Sequence, residues 1–185
     1  MSKLPPTPGQ TVGPFFGYAL PYDGGADLVP TSHPSAIRLH GTVYDGAGDP
    51  IPDALIEIWQ ASENGVVPRV PGSRSRDGWT FTGFGRVAVG PDGHYSFTTV
   101  RPGPTEEGAA PFFAVTVFAR GLLHRLLTRA YLPLGADAAA ADPFLSSLPQ
   151  DRRETLIARA DEQGLVFDIH LQGDDETVFL SYGDE

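Results

Sequence analysis

Five histidines, His33, His40, His94, His124 and His170, are the side chains best able to ligate a metal or move a proton near neutral pH. None lies two, three or four residues from another, the spacing that presents a local ligand pair, so the metal signal is weak. Asp168 and His170 come nearest: they share one face of a strand whose other face takes Phe167, Ile169 and Leu171. That pair reads more simply as solvated or interface-facing than as ligands. His94 and Ser96 also share a strand face, but no orienting carboxylate accompanies them. Ser73 and Ser75 lie in Pro71-Gly72-Ser73-Arg74-Ser75-Arg76, which lacks the Gly-x-Ser-x-Gly elbow of a nucleophilic serine and reads as a mobile basic loop. Gly83-Phe84-Gly85-Arg86-Val87-Ala88 matches the Ala-ended dinucleotide fingerprint, yet it opens a strand and offers no helix N-terminus to a pyrophosphate. With no cysteine in the chain, thiolate catalysis, thiolate metal sites and disulfides are excluded.

The elements that would position these groups are mostly short strands. Ile37, Leu39, Gly41 and Val43 alternate with Arg38, His40, Thr42 and Tyr44, and the run ends in the turn-forming Asp45-Gly46-Ala47-Gly48-Asp49-Pro50. Ala54, Ile56 and Ile58 alternate again, against Glu57 and Trp59. Further strands are expected at 85–89 and 95–100, joined by Pro91-Asp92-Gly93, then at 113–119, 126–132, 165–171 and 177–180. The Ala-rich stretch 135–141 suits either a loose helix or a surface connection. Ser147 and Gln150 have capping-box spacing ahead of good helix formers, which predicts one helix of about three turns over 152–159. The expected fold is all-β: a β-sandwich of mixed and antiparallel strands over residues 36–185, with one short C-terminal helix and an N-terminal arm over residues 1–35. The arm interleaves Pro and Gly with Phe15, Phe16, Tyr18 and Tyr22, so it is expected to dock, either on its own domain or on another chain.

Composition narrows the partners. With 23 acidic residues against 13 Lys and Arg, the net charge is −10, which repels nucleic-acid phosphates. The opening Met1-Ser2-Lys3-Leu4-Pro5-Pro6 has no apolar segment like that of a signal peptide, and no apolar run approaches the ~20 residues of a membrane span; a soluble cytoplasmic protein is the expectation.

Several segments, in order, resemble the intradiol ring-cleaving dioxygenases: Gly41-Thr42-Val43-Tyr44-Asp45, the run from Ile51 to Ala61 ending in Trp59-Gln60-Ala61, Phe84-Gly85-Arg86, and the run from Asp92 to Gly103. The resemblance implies a sandwich in which catalytic members hold Fe(III) with two Tyr and two His, and use it to activate a catecholate for O2 cleavage between its hydroxyl-bearing carbons. Carried onto this sequence, the two Tyr positions are Val67 and Thr105, and the two His positions are Phe112 and Ala114. An Arg that precedes the His pair falls near Ala109, and a Gln on the following strand falls at Arg129. The resemblance therefore implies that this chain binds no catalytic iron.

Other segments resemble the iron-free chain of two-chain members: Thr7 to Phe15, Val117-Phe118-Ala119-Arg120-Gly121, Pro149 to Ala158, Phe167-Asp168-Ile169 and Glu176-Thr177-Val178-Phe179. They imply a homologous partner chain that carries the Fe(III), with 3,4-dihydroxybenzoate and O2 meeting at a shared site. Thr11, Gly13 and Pro14 would line the wall of that partner site, and Arg120 would reach toward it, where a guanidinium favours an anionic catecholate. Arg120 could equally do no more than pair with an interface carboxylate. A non-enzymatic β-sandwich binding module remains the rival, because 41–55 also resembles carrier and carboxypeptidase-associated sandwich domains; Trp59-Gln60-Ala61 and the C-terminal Glu-Thr-Val-Phe run argue against it.

Overall fold

The computed structural model describes residues 15–70, 76, 77 and 79–182. Period-two alternation builds the first sheet around β1 (Ile37–Tyr44), which turns Leu39 and Val43 into the core and Arg38, His40 and Thr42 away from it. Antiparallel to β1 lies β4 (His94–Thr99), with Leu39 opposite Phe97 and Gly41 opposite Tyr95. On the other side, β8 (Leu165–Val166) and β9 (Ile169–His170) run parallel to β1, and β7 (Arg159–Ala160) pairs with β8. The second sheet is wholly antiparallel: β3 (Phe84–Ala88), β2 (Leu55–Gln60), β5 (Phe112–Phe118) and β6 (Leu126–Tyr131), in that order. Leu39, Val43, Tyr95 and Phe97 meet Ile56, Ile58, Phe113, Val115 and Val117 between the sheets in one hydrophobic core. The expected sandwich of mixed and antiparallel strands is the observed one.

Two close contacts hold the sheets in register. Gln60, at the end of β2, donates from Nε2 to Val100 O at 2.9 Å and accepts from Thr99 Oγ1, joining the second sheet to the end of β4 in the first. At Gly41 the C-terminal strands cross so near that an added Cβ would sit 2.0 Å from Phe167 O. That carbonyl also accepts from the buried Tyr95 hydroxyl at 2.5 Å. The kink at Phe167 divides the strand expected over 165–171 into the separate β8 and β9 ladders, as Phe167 N donates to His40 O at 2.7 Å.

The described part of the arm packs on its own sandwich. Leu28 N donates to Thr98 O at 2.8 Å, Thr98 N donates to Ala26 O at 2.9 Å, and Leu28 enters the core. Arg76 clasps this turn from outside, its guanidinium donating to Asp27 O at 3.1 Å and Phe84 O at 2.7 Å. The end of the segment expected to be a mobile basic loop is thus pinned; residues 71–75 lie outside the described residues.

The C-terminal third departs most from expectation. Instead of one helix of three turns there are three short ones, α2 (Ala136–Ala141), α3 (Pro143–Ser146) and α4 (Gln150–Glu154). The last stops at Glu154 because Leu156 O and Ala158 N are taken by the Tyr131 backbone, at 2.8 and 2.9 Å, so the chain leaves the helix to extend β6. No side chain caps α4 at its Pro149 N-cap, whereas Asp142 caps α3, accepting from Phe144 N and Leu145 N at 2.9 Å each. Residues 177–180 form no ladder: Thr177 N bonds to His170 O and Leu180 N to Leu127 O, one in each sheet.

Replacing Gly41 by Ala should force β1 from the 167 carbonyl and lower unfolding free energy by about 1–3 kcal/mol or more, read from urea denaturation as a lower midpoint at unchanged slope.

Candidate functional site

The positions matched to metal donors fall in two loops and one strand. Val67 follows β2 and Thr105 follows β4; both are exposed. Ser62 O accepts from Gly103 N at 2.8 Å and from Gly65 N at 2.9 Å, which ties the two loops together. Gly65, at φ 78°, is required there, since a Cβ would meet Pro104 O at 2.0 Å. On β5, the register sets Ala114 between Trp59 of β2 and Arg129 of β6, and Phe112 beside Tyr131. All of these side chains point away from the inter-sheet core.

Beside the positions that the sequence resemblance matches to donors on β5, the protein carries a cation of its own. The Arg129 guanidinium stands 4.3 Å from the Phe112 ring centroid and 5.1 Å from that of Phe144, and donates to Tyr131 Oη at 3.1 Å. Phe144 is held over it because Asp142, while capping α3, also accepts from Ala110 N at 2.9 Å just ahead of β5. Burial raises the Tyr131 phenol above its ordinary pKa against the opposing pull of Arg129, so the one hydroxyl of the group keeps its proton. Val67, Thr105, Phe112 and Ala114 present no imidazole or phenolate, and a stacked guanidinium repels a metal ion. This set does not fit Fe(III). Among the described residues, no group of three or more His, Asp or Glu is arranged to hold a metal ion.

Arg120 stands elsewhere. Its guanidinium lies 3.3 Å from Asp53 Oδ2 with the side chain 69% exposed. From Phe112 it is separated by the length of β5, roughly 20 Å at strand rise. Thr11, Gly13 and Pro14 lie outside the described residues. The first described residues after them, Phe15 and Phe16, lead into α1 (Phe16–Ala19), and the Phe16 ring packs 6.3 Å from Phe118, two residues before Arg120. The root of the arm and Arg120 therefore share one corner. A groove of about 580 Å³ runs there between Phe16, Phe118, Leu122, Leu123 and Tyr182. Phe15, Leu123 and Tyr182 are 75%, 58% and 72% exposed, an apolar surface uncommon on an isolated domain.

A family model described as Dioxygenase matches residues 13–113, more than half of the chain. The alpha chain of protocatechuate 3,4-dioxygenase from Burkholderia cepacia is 40% identical, over 97% of this chain and 99% of that one. The chain belongs to the intradiol dioxygenase family. Within it, the beta chain of the same Burkholderia enzyme is 30% identical over 85% of this chain and 78% of that one. The solved dioxygenase domain of a dioxygenase and carbohydrate-binding protein fusion from Streptomyces sp. SirexAA-E superimposes with a TM-score of 0.59 at 26% identity, covering 91% of this chain and 99% of that one. Set against its intradiol relatives, the chain is alpha-subunit-like, keeping the sandwich while its described residues hold no metal cluster. Among the described residues no helix is long and apolar enough to cross a membrane.

Three features of this intradiol chain escaped the sequence reading. Asp53, the partner of Arg120, carries no local signal of that pairing. Arg129 was legible as a departure from the family, but not as a cation stacked on two rings. His40 and His94, far apart in sequence, are brought together by the β1–β4 register, with His40 Nδ1 and His94 Nε2 3.4 Å apart. Asp168 and His170 do lie on the outer face, but apart: Asp168 accepts from Thr42 N at 2.9 Å and pairs with Arg159, while His170 stacks on Tyr44 at 4.9 Å.

Burial, followed by the neighbouring His40 and Arg38, holds the His94 pKa below the ordinary histidine value. The unfolded chain then takes up the proton first, so stability contributed above the ordinary histidine pKa is lost as pH falls through the depressed folded value. Denaturation from pH 8 to 5 should show this loss, and His94→Gln should flatten it. Arg129→Gln removes the stacked cation and should cost about 2 kcal/mol, whereas Arg120→Ala, which breaks an exposed pair, should change stability by less than about 1 kcal/mol. Urea titration of both variants checks the contrast.

Proposed function

We propose that this chain is the iron-free subunit of a two-chain intradiol dioxygenase that opens 3,4-dihydroxybenzoate with O2 to 3-carboxy-cis,cis-muconate, in aromatic compound catabolism. One observation carries the reading: the family sandwich is intact, while Val67, Thr105, Phe112 and Ala114 replace the donor set and Arg129 supplies a fixed charge beside two of them. A chain so altered contributes to catalysis only beside a homologous chain that holds the Fe(III). The identity to both the alpha and the beta chains of the Burkholderia enzyme supports such a pairing of related subunits. The ferric centre of that partner would supply the activation of the catecholate; this chain would supply charge and shape.

The exposed corner of Phe15, Leu123 and Tyr182 is the surface we assign to the partner. Thr11, Gly13 and Pro14, just ahead of Phe15 in the sequence, would form part of the partner's pocket wall. Arg120 would meet the substrate anion from the same side. Its link to Asp53 is long and mostly solvated, worth under about 1 kcal/mol, so the guanidinium is released at little cost when an anion enters. A carboxylate and a catecholate together offer it stronger charge-assisted hydrogen bonds than Asp53 does.

Purified alone, the chain should contain no stoichiometric iron and no visible tyrosinate-to-iron band. Iron at one equivalent would overturn the reading. Co-expressed with the homologous chain of its source, it should copurify in a coloured, active complex. In that complex Arg120→Ala should lower kcat/KM for 3,4-dihydroxybenzoate by about tenfold, the loss of one charge-assisted contact, while iron content stays constant. Unchanged kinetics would remove Arg120 from the shared site.

A further inference from the structure

We propose that His40 and His94 form a site for a divalent transition metal of zinc's chemistry on the outer face of the first sheet, separate from the lost iron site. The register places His40 opposite Ser96 and Thr42 opposite His94, so the two imidazoles meet diagonally across neighbouring strands. His40 Nδ1 and His94 Nε2 are 3.4 Å apart, longer than the ~3.2 Å limit of a well-formed hydrogen bond. Two nitrogens bound to one tetrahedral metal at ~2.0–2.1 Å lie about 3.4 Å apart. The separation is thus one that a shared tetrahedral metal can span.

The surroundings prepare His40 as a ligand. Both oxygens of Asp161 approach its Nε2, at 3.3 and 3.2 Å. With Nε2–H donating to this carboxylate, the Nδ1 lone pair is left on the side of His94, the carboxylate–histidine arrangement that orients metal-binding imidazoles. Asp161 is itself fixed by the backbone N–H groups of Gln163 and Gly164, each at 2.8 Å. His40 is only 6% exposed, so its ring cannot swing away. The ring centroids are 5.6 Å apart with the planes tilted by 46°. His94 must turn for both to converge on one ion, and its partial exposure permits that.

The two imidazoles supply two positions and water the others. Imidazole donors select zinc, copper and nickel over magnesium and calcium. Arg38 is the nearby charge opposing a cation; its guanidinium is hydrogen-bonded to Ser96 Oγ at 2.7 Å and Gln163 Oε1 at 2.6 Å. A bound ion would link β1, β4 and the 161–164 turn, joining segments distant in sequence.

Zinc titration of the full chain in chelator-free buffer, followed by calorimetry and by imidazole NMR shifts, tests the site. The expected result is one equivalent of Zn2+ that shifts the resonances of His40 and His94 and raises Tm, with no such effect from Mg2+. His94→Gln, on the partly exposed ring, should abolish that equivalent and the Tm rise, and Asp161→Asn should weaken binding about 10–100-fold. Zinc uptake identical in the wild type and His94→Gln, shifts confined to His33, His124 or His170, or no uptake at all would each overturn the proposal.

Discussion

The architecture turns on one buried amide. Gln60 is 5% exposed, and its side chain spends both hydrogen-bonding ends on the other sheet and its own strand end: Nε2 on Val100 O and Ala61 O, Oε1 on the Thr99 hydroxyl. Leaving such groups unpaired in the interior costs about 1–3 kcal/mol each, so the ends of β2 and β4 are held at a fixed separation. The loops bearing Val67 and Thr105 leave from these two ends, and Ser62 joins them again one turn later. The loop frame is therefore closed by hydrogen bonds within the chain, and not by a metal.

The strand side of the same region shows how a charge can be retained without coordination. Phe112 and Ala114 border a space beside β6. Arg129 lines it with a delocalised cation whose flat faces meet aromatic rings and whose N–H groups reach a phenol. Asp142 has the deciding position in this arrangement, because one carboxylate starts α3, fastens it to the approach to β5, and so holds Phe144 over the guanidinium. This chain thereby keeps a rigid core while the corner by Arg120 stays exposed.

Strands whose side chains alternate between core and solvent were legible because a period of two has few competing explanations. That holds for β1, β2, β4 and β5. The C-terminal third resisted for a different reason: Leu156, Ile157 and Ala158 are good helix residues, but backbone bonds to Tyr131 outweigh a local preference of a few tenths of a kcal/mol per residue. The strand expected over 177–180 failed because its hydrogen bonds go to both sheets, a division no periodicity records. That Val67, Thr105, Phe112 and Ala114 carry no imidazole or phenolate could be read from residue type alone. What replaces them could not, because Arg129 acts through Phe144, a contact set by how α3 lies on β6. The His40–His94 pair was hidden likewise: cross-strand neighbours have no characteristic sequence spacing.

The parallel seating of the C-terminal strands against β1 also constrains when the molecule can form. Thr42 N donates to a carboxylate 126 residues later, and Leu39 meets Leu165 on the same seam. A ribosome must release nearly the whole chain before β1 finds its parallel neighbours, and until then that side of the strand is an open edge. Loop closure over such a span makes folding slow and the half-made sheet prone to wrong pairing. The rate of sheet closure thus sets how long that edge stays open to wrong pairing.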